Sequence, residues 1–330
     1  MKIIHIGLGK TGTTTLQKYF FPKLSNLLNY VYWTSDPKML NNVKIHYSKQ
    51  ILGKDIFDNL ELNNSSFISH EGLSGFHRPD LLEYFANSNL KAFGRNSHII
   101  ITIREPLSYL SSIYNELVAK KLLNLSPSDY FLSKKPELSF FNLKEFSYRK
   151  LLDVYKKKFD KVSIIKIEKY NDIKYLSKIF NLELNLLKST ISDIDKNIKI
   201  NRSYNLNTYK IVKFISFLFY PVKFILKLPK INVIFTKIFI NLVKKRILSD
   251  KEYTNYYFEM IKYKIAIEGN SILIDKIFSE IISKIFINLK LFDLIEFVFY
   301  KNKKKCIDPY GISNNFSFEI TRLYEEYDSI

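Results

Sequence analysis

Gly7-Leu8-Gly9-Lys10-Thr11-Gly12-Thr13-Thr14-Thr15-Leu16 decides the fold, and it follows the apolar run Ile3-Ile4-His5-Ile6. An apolar run that ends at a glycine reads as a buried strand, and a helix opens near Thr13 and runs past Lys18. Three of the nine glycines of the chain lie between positions 7 and 12, so the turn is where glycine is spent. Glycine lets the backbone turn tightly and aim successive N–H groups into one concavity. The N-terminus of the following helix adds the positive end of its dipole. Thr13 and Thr14 add hydroxyl donors and Lys10 adds a mobile cation. Strand, loop and helix together make a phosphate cradle.

Two kinds of phosphate loop compete for this pattern. Gly7 and Gly12 have the spacing of the nucleoside-triphosphate loop G-x-x-x-x-G-K-[ST]. The residue after Gly12 is Thr13, however, and the lysine stands inside the loop at position 10. A P-loop kinase or NTPase would lack its β/γ-phosphate clamp. Lys10-Thr11-Gly12-Thr13-Thr14 instead resembles the 5′-phosphosulfate loop of sulfotransferases that use 3′-phosphoadenylyl sulfate (PAPS), in the carbohydrate-acting branch and its bacterial relatives. The resemblance implies that Gly9, Lys10, Thr11, Gly12, Thr13 and Thr14 bind this donor.

A second motif matches the same family. Ile101-Thr102-Ile103-Arg104-Glu105-Pro106 continues to Ser112 and Tyr114, with a strand, an arginine, a proline two residues on and a serine eight residues on. Arg104 leaves the carboxyl end of a parallel strand, where open α/β sheets bind ligands. Its planar fork can grip a phosphate with two N–H groups. The resemblance assigns Arg104 and Ser112 to the 3′-phosphate, the group that separates PAPS from ATP. Arg202, in Asn201-Arg202-Ser203, is a further candidate phosphate ligand.

Between the anchors, Phe67-Ile68-Ser69-His70-Glu71-Gly72 is a strand that ends in polar residues, and it looks like the Ser-x-Glu-Gly stretch of the bacterial members. Sulfuryl transfer needs a general base for the proton of the acceptor. Glu71 is the first candidate and His70 the second, since an imidazole titrates nearer neutrality. Lys10 would stabilise charge on the departing phosphate oxygen. The chemistry needs no metal, and the five histidines show no ligand spacing.

The reading extends outward to an α/β, P-loop-like three-layer fold, a central parallel sheet flanked by helices, over residues 1–205. A mainly helical C-terminal subdomain follows over 206–330. Strands are expected at 2–7, 30–33, 65–70, 98–103 and 161–167. Helices are expected at 106–123, 140–159, 172–181 and most of 205–300, with Pro79 opening another ahead of Leu81.

Composition bounds the rest. Hydrophobic residues at 46% and charged residues at 25% describe a globular chain. One cysteine, Cys306, excludes a disulfide framework and a Cys-rich zinc site. There are 44 Lys but only 7 Arg and 4 Ala, the signature of AT-rich codon usage. The net charge of +19 is therefore spread along the chain and does not select a specific nucleic acid. The N-terminal apolar run is too short for a secretory signal, and one cysteine agrees with a reducing compartment, so a cytoplasmic enzyme is expected. Lysines interrupt the apolar segment 209–247 every few residues, which excludes a spanning helix. It reads either as a buried helical hairpin or as a basic segment resting on the inner, anionic face of a membrane. The expected acceptor is a glycan or glycolipid. The alternatives are a nucleotide kinase and a non-catalytic protein that binds polyanions or membrane surfaces.

Overall fold

The computed structural model describes residues 1–53, 60, 62–75, 81–121, 127–132, 142–192 and 312–330. Five strands form one sheet in the order β2-β3-β1-β4-β5 and every pairing is parallel: β1 (Ile3–His5), β2 (Val31–Tyr32), β3 (Ser66–Ser69), β4 (His98–Ile103) and β5 (Lys161–Lys166). All five therefore end at the same edge. Strands β1, β3 and β4 are buried throughout, as a parallel sheet between covering layers requires. His5 pairs with Ser69 on one side and with Ile100 on the other, which fixes β3 and β4 as the neighbours of β1.

Helices follow the strands. α1 (Thr13–Thr15) passes through a π-helical turn (Leu16–Phe20) into α2 (Phe21–Leu27). α3 (Pro37–Leu52) starts under Asp36, whose carboxylate accepts from the Lys38 and Met39 N–H groups at 2.9 and 3.2 Å. α4 (Leu82–Phe93), α5 (Pro106–Lys121) and α6 (Pro127–Leu132) come next. α7 (Tyr148–Lys158) begins later than the apolar periodicity of 140–159 suggests, because Ser147 caps it by accepting from the Lys150 N–H. Phe146 lies outside the helix and stacks on Tyr109 at 5.7 Å. α8 (Ile173–Phe180), α9 (Leu184–Ser192), α10 (Ile312–Asn315) and α11 (Ser317–Ser329) complete the described elements.

β5 ends the sheet on one side, and α8 protects it. The Tyr175 hydroxyl donates to the Ile164 carbonyl (2.6 Å) and accepts from the Lys166 N–H (3.2 Å), closing groups that an edge strand leaves open. α11 docks through Glu326, which accepts from the Ser147 hydroxyl, and through the Tyr327 hydroxyl, which donates to Glu168.

The chain divides into two compact units. One comprises Met1–Tyr109, Lys144–Arg202 and Phe318–Ile330; the other comprises Leu110–Leu143 and Ser203–Ser317. The first holds the sheet. In the second, Tyr114, Tyr130, Phe131 and Phe316 form an aromatic cluster. The expected boundary at 205, the expected helices of 205–300, the segment 209–247 and Cys306 lie outside the described residues. Among the described residues no helix is long and apolar enough to cross a membrane.

Candidate functional site

The chain leaves β1 toward β2 on one side and leaves β4 toward β5 on the other. Open α/β sheets bind ligands at such a divergence, outside the carboxyl ends of the strands. The loop of residues 6–12 begins there, held to β4 by the Ile6 N–H on the Ile100 carbonyl (3.0 Å) and the Leu8 N–H on the Thr102 carbonyl (3.3 Å). Lys10 and Gly12 both take left-handed backbone angles, with φ of 68° and 72°. Left-handed residues curl a loop so that its N–H groups converge, and for a lysine that conformation carries a cost of order 1 kcal/mol. Gly12 is the N-cap of α1 and no side chain caps it. The first helical bonds run from the Thr15 and Leu16 N–H groups to the Gly12 carbonyl (3.0 and 3.2 Å). The N-terminus of the helix thus opens at an exposed glycine, flanked by the buried Thr13 and half-buried Lys10 and Thr14. A Cβ on Gly12 would meet Ile167 Cδ1 at 2.7 Å, so the turn after β5 walls this side of the loop.

Arg104 joins the loop from β4. Its Nη1 donates to the Lys10 carbonyl at 3.2 Å, which brings together two positions 94 residues apart. Its own carbonyl accepts from the buried Tyr148 hydroxyl at 2.8 Å. Burial lowers the pKa of Arg104, against the opposing pull of Glu168, Glu105 and Tyr148; a guanidinium stays charged in any case. Glu105 accepts from the Ser108 N–H (2.8 Å) and starts α5, and its N–H donates to Glu168 (3.0 Å). Glu168 thereby links the Arg104 turn to Tyr327 of α11.

Glu71 lies at the carboxyl end of β3, opposite the loop. Its Oε2 accepts from the Thr13 hydroxyl at 2.5 Å, which places an exposed carboxylate against the first turn of α1. Buried groups anchor the turn Glu71–Ser74. Asn89 Nδ2 donates to the Leu73 carbonyl (2.8 Å) and to the Tyr155 hydroxyl (3.0 Å), while its Oδ1 accepts from Gln50 Nε2 (2.8 Å) and from His46 Nε2 (3.3 Å). His70, the rival base, is placed differently. Its ring packs against Tyr47 (4.7 Å) and Trp33 (5.8 Å), and its buried Nδ1 has no hydrogen-bond partner among the described residues. Burial, with the Lys44 charge, lowers its pKa to about 4.

Gly9 sits buried in the loop between Leu8 and Lys10. The Thr11 side chain is fully buried and turns beneath the loop, where its hydroxyl donates to the Leu8 carbonyl (2.6 Å) and lies 2.7 Å from Thr102 Oγ1. Ser112 stands on α5 within the second compact unit, and Arg202 lies outside the described residues. Among the described residues no group of three His, Cys, Asp or Glu side chains is placed to hold a metal ion.

Three residues of the site were not expected from the sequence: Thr102, whose hydroxyl meets Thr11; His5, which bonds Thr102 and Ser69; and Tyr148, which holds the Arg104 carbonyl. The first two carried a signal, a polar side chain within a β-branched strand. Tyr148 carried none. No protein-family model, no curated protein and no solved structure matches this chain.

Proposed function

We propose that the protein is a PAPS-dependent sulfotransferase with a P-loop-like core, acting on a hydroxyl or amine of a glycan or glycolipid. The observation that carries this reading is the Arg104–Lys10 hydrogen bond. It brings a side chain able to grip a phosphate with two N–H groups beside the glycine-rich loop, which supports reading the ends of β1 and β4 as two neighbouring anion-binding positions. A loop with Thr13 after Gly12 lacks the lysine of a nucleoside-triphosphate site, which disfavours the kinase alternative.

In this reading the loop N–H groups, Thr14 and Lys10 hold the 5′-phosphosulfate, and Arg104 holds the 3′-phosphate, with Arg202 as a further proposed ligand. Glu71, at the rim of the cradle, accepts the proton of the acceptor hydroxyl as its oxygen forms a bond to sulfur. The sulfur–oxygen bond to the phosphate breaks on the opposite side, and Lys10 meets the charge that appears on that phosphate. Glu71 is preferred to His70 because its carboxylate touches the first turn of α1, whereas the His70 ring is packed between two aromatic side chains. The protein is proposed to act in the cytoplasm.

The test is incubation with PAPS labelled in the sulfuryl group, together with glycan and lipid extracts of the host cell. Transfer of label to an extract component, with equimolar adenosine 3′,5′-bisphosphate, supports the reading. Hydrolysis or exchange without a labelled acceptor in any fraction speaks against it.

A further inference from the structure

Beneath the phosphate loop, the hydroxyls and the imidazole form a chain whose direction follows from counting protons. The Leu8 carbonyl can only accept, so the Thr11 hydroxyl spends its single proton there, at 2.6 Å. The Thr102 hydroxyl, 2.7 Å away, then donates to Thr11. With that proton spent, Thr102 Oγ1 accepts from His5 Nε2 at 3.2 Å. His5 is fully buried and burial lowers its pKa to about 3, so the ring is neutral. A neutral ring with its proton on Nε2 has a bare Nδ1, which accepts from the Ser69 hydroxyl at 2.7 Å. Ser69 Oγ in turn accepts from Gln17 Nε2 at 3.2 Å.

The chain has consequences at both ends. Gly7 runs directly over it, and a Cβ there would collide with Thr102 Oγ1 and His5 Nε2. The Thr102 carbonyl takes the Leu8 N–H, so this one residue grips the loop by backbone and by side chain. At the other end, Ser69 stands two residues before Glu71, and its carbonyl accepts from Gln17 Nε2 at 3.0 Å.

We propose that His5 is the positioning residue of this site, its Nε2–H tautomer locking the phosphate loop to the strand that leads into Glu71. Its consequence for catalysis rests on the proposed sulfotransferase reading; its structural content does not. Swapping the proton to Nδ1 would set two bare acceptors, or two donors, against each other along the chain. One buried chain thus ties three strands to the loop, and no polar residue in it is spare.

The test uses the full-length protein without ligand. Long-range 1H–15N spectra of histidine-labelled protein at pH 7 should show His5 protonated on Nε2 and bare on Nδ1; the opposite tautomer overturns the proposal. Hydrogen exchange then reads the loop. Thr102→Val removes both roles of that hydroxyl, and exchange over residues 9–14 should rise on the order of tenfold while residues 148–158 stay unchanged. Thr102→Ser, which keeps the hydroxyl, should restore slow exchange. Unchanged loop exchange in Thr102→Val, or equal effects of Val and Ser, refutes it. If Thr102→Val does not fold, the tautomer alone decides. Absence of adenosine 3′,5′-bisphosphate binding by the unaltered protein would count against the proposed function and leave these readouts intact.

Discussion

Arg104 carries the largest burden of any single residue in the proposed function, because one planar group holds the loop and is proposed to hold the ligand as well. One N–H is engaged by the Lys10 carbonyl, and that bond steadies a lysine in a left-handed conformation. Arg104→Ala should weaken binding of adenosine 3′,5′-bisphosphate by about 1.5–3 kcal/mol, the range for a charged hydrogen bond, measured by calorimetry. Arg104→Lys should recover little, since an ammonium cannot reproduce a fork of parallel N–H groups; unchanged affinity in either variant would refute the assignment. Glu71→Gln should bind the same ligand normally and lose turnover, which a PAPS transfer assay reads directly; a fully active variant would move the base elsewhere. That Arg104 stands beside the glycine-rich loop was legible because glycine and arginine are scarce in this chain, so each one retained is informative. The inward turn of Thr11 was not legible, since its partner Thr102 is 91 residues away and meets it only through the register of β1 and β4.

At the level of elements, strands announced themselves and helices did so unevenly. His98–Ile103 is an unbroken β-branched run, and the structure makes it a six-residue buried strand beside β1. α3 was not expected, although Asp36-Pro37 is a sound start signal, because its sequence alternates Lys, Asn and apolar residues without a clear stripe. α11 falls within the stretch expected to be mainly helical, but its docking was not legible: its partners Ser147 and Glu168 lie 179 and 159 residues from Glu326 and Tyr327, a pairing no local pattern encodes. Ser147 both caps α7 and donates to Glu326, so Ser147→Ala should cost about 1–2 kcal/mol in chemical denaturation and loosen α11. Gly12→Ala acts on the cradle instead. It sets a Cβ at a φ of 72° and 2.7 Å from Ile167 Cδ1, so ligand affinity should fall while the global unfolding midpoint moves little. An unchanged affinity would mean that the loop does not need this conformation.

For the molecule as a whole, the excess of lysine says less than the placement of its histidines. His5, His46 and His98 are buried and His70 is half-buried with its Nδ1 enclosed; loss of solvation lowers the pKa to about 3 for His5 and to about 4 for each of the other three. The unfolded chain, with imidazoles near 6.5, takes up protons that the folded chain refuses. Their contribution to stability is therefore complete above about pH 6.5 and is lost as pH falls toward 4, by about 1.4 kcal/mol per pH unit for each ring. Denaturant unfolding at pH 7, 6 and 5 should show a steep decline; equal stability at pH 7 and 5 would contradict the burial of these rings. The parallel sheet and its carboxyl edge were readable from the alternation of apolar runs with helix starts, whereas the division into two compact units was not, since three separate stretches build the first. What the cradle binds decides the account. Thermal-shift titration of the full-length protein should show stabilisation by adenosine 3′,5′-bisphosphate that exceeds that by ATP at equal concentration, on the order of 2.7 kcal/mol at a hundred times the dissociation constant. Equal stabilisation by the two nucleotides, or none by either, would contradict it.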